Sequence, residues 1–86
     1  MSSVSSKILA RVANVPGVVE VDRVIVPGGD YIKITGSSIT ATVVYLDGSS
    51  EVLTLSGTIQ LKKRVARILI PSSERSKNFV IEVGKL

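Results

Sequence analysis

Two serine–lysine neighbours, Ser6-Lys7 and Ser76-Lys77, are the residues of this chain whose types could support nucleophilic chemistry. A serine attacks only when a base held against it takes its proton. Adjacent residues of a strand leave opposite faces, so neither pair makes a dyad by adjacency alone. The chain has no His and no Cys, which removes the usual base and thiolate and with them the nitrogen and sulfur ligands of a transition-metal site. Asp30, Asp47 and Glu51 lack the spacing of a calcium loop, and turn chemistry accounts for the two aspartates. Val26-Pro27-Gly28-Gly29-Asp30 has the glycines of an anion-cradling loop, but such a loop opens a helix, and here the β-like Tyr31-Ile32-Lys33-Ile34-Thr35 follows. We read it as a turn. These residues imply no catalytic site, no metal, no cofactor and no small-molecule substrate.

Charge is more informative. Residues 1–59 carry four basic and five acidic side chains, whereas residues 60–86 carry seven basic and two acidic, so the formal +4 sits in the last third. A patch of Lys62, Lys63, Arg64 and Arg67, extended by Arg75, Lys77 and Lys85, would neutralise phosphates. It would equally make a solvated edge that blocks unwanted sheet pairing, or meet an acidic patch of a neighbouring subunit such as Glu20, Asp22 and Asp30. Single-strand binders add aromatic platforms for the bases, and Tyr31, Tyr45 and Phe79 are the only aromatics. An edge or subunit contact is the leading reading and nucleic acid the alternative.

The elements that position these groups are strands. The chain is 86 residues, one domain spanning 1–86, and 44% of it is apolar, dominated by Val and Ile, whose branched side chains suit a pleated surface. No apolar run approaches the roughly 18 residues of a membrane span, and the serine-rich start lacks the apolar core of a signal peptide. A soluble intracellular or virion-borne protein is expected. The mean hydropathy of +0.39 is high for a small monomer, and we read the surplus as surface buried against another copy.

The centre of the pattern is Ile39–Ser56, where Asp47-Gly48 separates two β-branched runs and marks a hairpin. Placing Leu46 opposite Glu51 and Val44 opposite Leu53 puts Thr42, Val44, Leu46, Leu53 and Leu55 on one face and Ile39, Ala41, Val43, Tyr45 and Val52 on the other. Both faces are apolar, so something should cover each. Val43, Tyr45, Val44 and Leu53 are the candidate subunit contact.

Around it, Ser2–Asn14 reads as a short helix, capped by Ser2 or Ser3 with Val4, Ile8, Leu9, Val12 and Ala13 on one stripe; a strand with Ile8, Ala10 and Val12 inward is the other reading. Val18–Val26 reads as a strand with Val19 and Val21 inward and a slip near Arg23, and Tyr31–Thr35 as a short strand leading through Gly36-Ser37-Ser38 to the hairpin. Thr58–Ile70 alternates except at Lys62-Lys63-Arg64, as one long bent strand or two; Pro71–Asn78 is a polar loop; Phe79–Gly84 is a last strand with Phe79, Ile81 and Val83 on one face. The expected fold is mainly β, a small antiparallel sandwich or barrel of six or seven short strands with one short N-terminal helix.

Lys7–Val21, with Val15-Pro16-Gly17-Val18 at its centre, resembles the helix–Pro-Gly-Val–strand unit of baseplate J-like wedge proteins of contractile phage tails. The resemblance implies a helix packed on the sheet that the next strand enters, and assembly rather than chemistry. The expected function is a non-enzymatic structural protein, a small self-associating or docking virion component of capsid or tail, in a homo-oligomer or larger protein assembly. The alternative is a small basic nucleic-acid-binding β protein.

Overall fold

A computed structural model describes residues 7–86 and arranges them as four strands, β1 (Lys7–Asn14), β2 (Arg23–Tyr45), β3 (Ser50–Leu69) and β4 (Phe79–Lys85), with one 3₁₀ turn at Ser72–Glu74. They form a single antiparallel sheet in the order β1-β4-β2-β3. The mainly β, antiparallel expectation holds. The strand count, the sandwich or closed barrel, and the helix do not.

Four strands replace six or seven because β2 and β3 each run through two expected strands without ending. Both bend where glycine takes positive φ, Gly36 at 96° and Gly57 at 63°, a conformation that costs a residue without Cβ little. At the bend the ladder shifts from Ile34 opposite Gly57 to Ile39 opposite Leu55, leaving Gly36-Ser37-Ser38 as surplus on β2. Past it the ribbon folds back, so Thr42, Val43 and Val44 pair with Val52, Glu51 and Ser50 on one side and with Leu69, Ile68 and Arg67 on the other. Pro27-Gly28-Gly29, expected as a turn, is instead an irregularity inside β2, between Ile25 opposite Arg67 and Gly29 opposite Val65. Proline is tolerated there because its missing N–H falls at a break in the ladder.

The N-terminal helix is overturned over its described part; Ser2, Ser3 and Val4 lie outside the described residues. Residues 7–14 pair along β4 from Lys7 opposite Lys85 to Asn14 opposite Phe79, with a bulge between Ile8 and Ala10. Tertiary pairing overrides the helical stripe: β4 would otherwise present a bare edge, and in the strand form Ala10 and Val12 pack on the core. Ile8 stays exposed. Where the phage-tail resemblance implies a helix the chain forms β1, and after it Gly17 has φ 77° and Val15 bridges Val19. Val18–Asp22 is not strand, and Val19 is exposed where it was expected inward, though Val21 is buried.

The hairpin turns at Asp47-Gly48 as expected, but Val44 faces Ser50 and Ala41 faces Leu53, a register three residues from the expected one. An odd slip exchanges the faces of one strand relative to the other. Leu53 and Leu55 thereby join Ile39, Ala41, Val43 and Tyr45 on the inner face, and the core they build with Ile32, Ile68, Ile81 and Val83 belongs to this chain alone. The total accessible surface is 5154 Å², close to the roughly 4,900 Å² of a typical monomer of this mass. One chain hides most of its apolar surplus. Val43 (0% exposed) and Tyr45 are core residues and offer no surface for a subunit contact; Val44 and Leu53 are half-buried.

Candidate interaction surface

Pairing fixes what faces outward from the folded-back ribbon. Arg23, Leu69, Thr42 and Val52 lie side by side across four strand segments, and two residues along lie Ile25, Arg67, Val44 and Ser50. The row between them, Val24, Ile68, Val43 and Glu51, has the opposite parity, and its first three members are buried. The outer rows thus place Ile25 (65% exposed) and Val52 (67%) with Leu69 and half-buried Val44, with Arg67 set between Ile25 and Val44 and Arg23 at the end of its row. Sequence reasoning missed this patch, because Ile25 and Leu69 share it with Val52 only through the double pairing of β2.

The first half of β3 closes this face as an edge, since Ser50–Leu55 pairs with β2 on one side only. A cleft of about 420 Å³ lies inside that edge, lined by Tyr45, Leu53, Ile59 and Leu61 with Glu51, Gln60, Lys62 and Lys63 at its polar side.

The basic residues are not one patch. Lys63 is a strut at the hairpin tip: its Nζ lies 3.2 Å from Asp47 Oδ2, donates to Ser49 Oγ at 3.0 Å and sits 5.6 Å from the centre of the Tyr45 ring. The Arg75 guanidinium donates to the Ile70 carbonyl through Nε at 3.2 Å and Nη2 at 2.9 Å, and Lys77 pairs with Glu74 at 3.0 Å. Lys62 and Arg64 are exposed in a stretch of β3 where five steps, Gln60 to Val65, oppose only two of β2, Tyr31 to Gly29. Among the described residues neither has a carboxylate partner within 4.0 Å. The charged knot that interrupts the alternation in sequence is this irregularity, in one long bent strand.

Electrostatics at the tip follow from the same contacts. Burial first, then the Glu51 and Asp47 carboxylates, push the Tyr45 phenol up to about 12, so its ring stays neutral under Lys63. Asp47 is drawn down to about 2, chiefly by the Ser49 hydroxyl and amide that its Oδ1 accepts, then by Lys63. A depressed carboxyl pKa means that these bonds favour the folded turn above the ordinary aspartate range and are lost as pH falls toward 2. An NMR titration should show the Asp47 carboxyl carbon and the Ser49 amide moving together near pH 2, and Lys63→Met should raise that midpoint.

Asn14, absent from the sequence-based candidates, is the buried polar residue among the described residues. Its Nδ2 donates to the carbonyls of Arg75 at 3.0 Å and Lys77 at 2.7 Å, and its Oδ1 accepts the Val21 N–H at 2.8 Å. It holds the end of β1, the 15–22 connection and the 71–78 loop together. An asparagine two residues before Pro-Gly has the chemistry of a turn former, but nothing in sequence marks its distant partners.

Among the described residues, no three His, Cys, Asp or Glu side chains come together to hold a metal ion, and no helix is long and apolar enough to cross a membrane. Comparison with protein-family models, with curated proteins and with solved structures gave no match for this chain.

Proposed function

We propose that the protein is a non-enzymatic structural protein that works by associating with copies of itself in a larger assembly, a virion being the setting implied by the Lys7–Val21 resemblance. That resemblance now rests on the Pro16-Gly17 reversal, so the weight falls on association itself. The observation that carries the reading is the outer patch of Ile25, Val44, Leu69 and Val52 next to an open strand edge. Apolar side chains in adjacent rows of a sheet, interleaved with Arg, are the composition of a contact core. Sedimentation velocity from micromolar to submillimolar concentration should show species heavier than the 9.1 kDa chain. A single 9.1 kDa boundary throughout overturns the proposal.

The exposed pair Lys62 and Arg64, with Arg67 on the outer face, supports nucleic-acid binding as the second reading. It requires oligonucleotide affinity that falls steeply with salt and drops when Lys62, Arg64 and Arg67 are changed to Gln. Lys63, tied to Asp47, should contribute less than those three.

A further inference from the structure

β1 and β3 lie at the two ends of the sheet, and β3 is the less defended of them. β1 carries a bulge between Ile8 and Ala10 and the charges of Lys7 and Arg11, devices that keep an edge from pairing with another sheet. The edge Ser50-Glu51-Val52-Leu53-Thr54-Leu55 carries a single charge, Glu51, and no Pro, Gly or Lys, and its register with β2 is unbroken from Val44 opposite Ser50 to Ile39 opposite Leu55.

The direction of its free main-chain groups follows from the hairpin tip. The Tyr45 N–H donates to the Ser49 carbonyl at 2.8 Å and the Tyr45 carbonyl accepts from the Gly48 N–H at 3.1 Å, which places Tyr45 at a hydrogen-bonded position of the ladder, opposite Ser49. Such pairs alternate along an antiparallel ladder, so the next are Val43 with Glu51 and Ala41 with Leu53. The N–H and C=O groups of Ser50, Val52 and Thr54 therefore point away from the sheet. That set is symmetric about Val52, which is also among the most exposed large apolar side chains described.

We infer that the Ser50–Leu55 edge of β3 pairs antiparallel with the same edge of a second copy, about a two-fold axis at Val52, with Glu51 of each copy directed at Lys62 of the other. The inference rests on the self-association proposed above and assigns it to the strand edge beside the outer patch, with Val52 common to both. In this register Ser50 meets Thr54 and Val52 meets Val52, which closes up to about six main-chain hydrogen bonds. Glu51 falls opposite Leu53 on the inner side, at the mouth of the cleft that Leu53, Gln60, Lys62 and Lys63 line. Lys63 is held by Asp47, so Lys62 is the cation available there. The contact is isologous and closes at two copies, and its small area makes the association weak, in the micromolar range.

The chain has no Cys, so a single engineered thiol reports the axis. Hydrogen-bonded antiparallel pairs stand about 5.5 Å apart at Cα, within disulfide reach. Val52→Cys should oxidise to a covalent dimer at least tenfold faster than Ile25→Cys, which is as exposed but lies at the opposite end of the four-segment row, on a different free edge. Val52→Lys should weaken sedimentation-detected dimerisation at least tenfold with an unchanged circular dichroism spectrum, and Lys62→Glu should weaken it in a way that Glu51→Lys in the same chain restores. Equal cross-linking at both thiols, or association unchanged in Val52→Lys, overturns the edge assignment while leaving self-association through another surface standing. A monomer at every concentration removes both.

Discussion

Asn14→Asp should lose about 4 kcal/mol of unfolding free energy at pH 7, a large part of the stability of so small a domain and the largest loss we expect from any isosteric change in this chain. The side chain is 1% exposed and uses both ends: the amide donates to two carbonyls and the oxygen accepts one N–H. A carboxylate keeps the Val21 bond but turns its second oxygen, now charged, against the Arg75 and Lys77 carbonyls in a site closed to water. The charged form is disfavoured in the folded state, so the introduced carboxyl has a raised folded pKa. Its penalty is full above that raised value and shrinks as pH falls through it toward the unfolded one, because protonation restores one donor. Urea titrations at pH 7 and pH 4 should therefore show the deficit relative to wild type falling at the lower pH. Asn14→Ala should cost about 2–3 kcal/mol with little pH dependence, since it orphans the same three backbone groups without adding charge. Equal midpoints for wild type and Asn14→Asp at pH 7 would refute the role assigned to this residue. The 71–78 loop does not depend on Asn14 alone. Glu74 accepts the Thr40 N–H at 2.7 Å, and that bond, followed by the pairing with Lys77, holds its carboxyl below the usual range.

Much of the strand content was legible because alternation is a local signal. Phe79, Ile81 and Val83 were expected on one face and are all buried in β4, and the Asp47-Gly48 turn stands where turn chemistry puts it, with Asp47 accepting from Ser49. The register was not legible. Alternation constrains each strand by itself, and two apolar faces gave no parity by which to choose between Val44 opposite Leu53 and the observed Val44 opposite Ser50. Nor was strand continuity: Pro27-Gly28-Gly29 has the chemistry of a turn, and what keeps it in β2 is non-local. A Cβ on Gly29 would stand 2.5 Å from Val83 Cγ1, so glycine there serves close approach to β4 as well as local bending. The candidate surface suffered most from this limit. By sequence Val43 and Tyr45 read as contacts because their face looks surplus, but the fold-back of the β2–β3 ribbon covers that face and leaves Ile25 and Val52 outside. The charge count likewise marked the last third as basic without showing that Lys63, Arg75 and Lys77 are engaged by partners inside the chain.

Gly84→Ala should destabilise the protein by about 3 kcal/mol, although the same change in an ordinary strand is neutral or mildly stabilising because alanine restricts the unfolded chain. Gly84 sits in β4 between Ile8 of β1 and Tyr31 of β2. Tyr31 points to the outer side of the sheet, opposite in parity to buried Ile32, yet is only 5% exposed and stands outside the main core cluster. It achieves this by lying flat across β4, its ring over Gly84 and its hydroxyl donating to Glu82 Oε2 at 3.1 Å. A Cβ at position 84 would meet Tyr31 Cε2 at 2.5 Å and the Lys7 carbonyl oxygen at 2.5 Å. The ring could swing away, but the carbonyl is backbone, so β1 must also shift along the ladder that seals this end of the sheet. Two sources of cost then separate in a double-mutant cycle. Tyr31→Ala should cost about 2 kcal/mol alone by uncovering the glycine, and in its presence Gly84→Ala should cost about 1–2 kcal/mol less, the remainder being the clash with β1. Urea midpoints of the four proteins measure the coupling. Strict additivity would mean that Tyr31 does not rest on Gly84, and a stabilised Gly84→Ala would mean that β1 does not pack where the pairing of Ile8 with Gly84 places it.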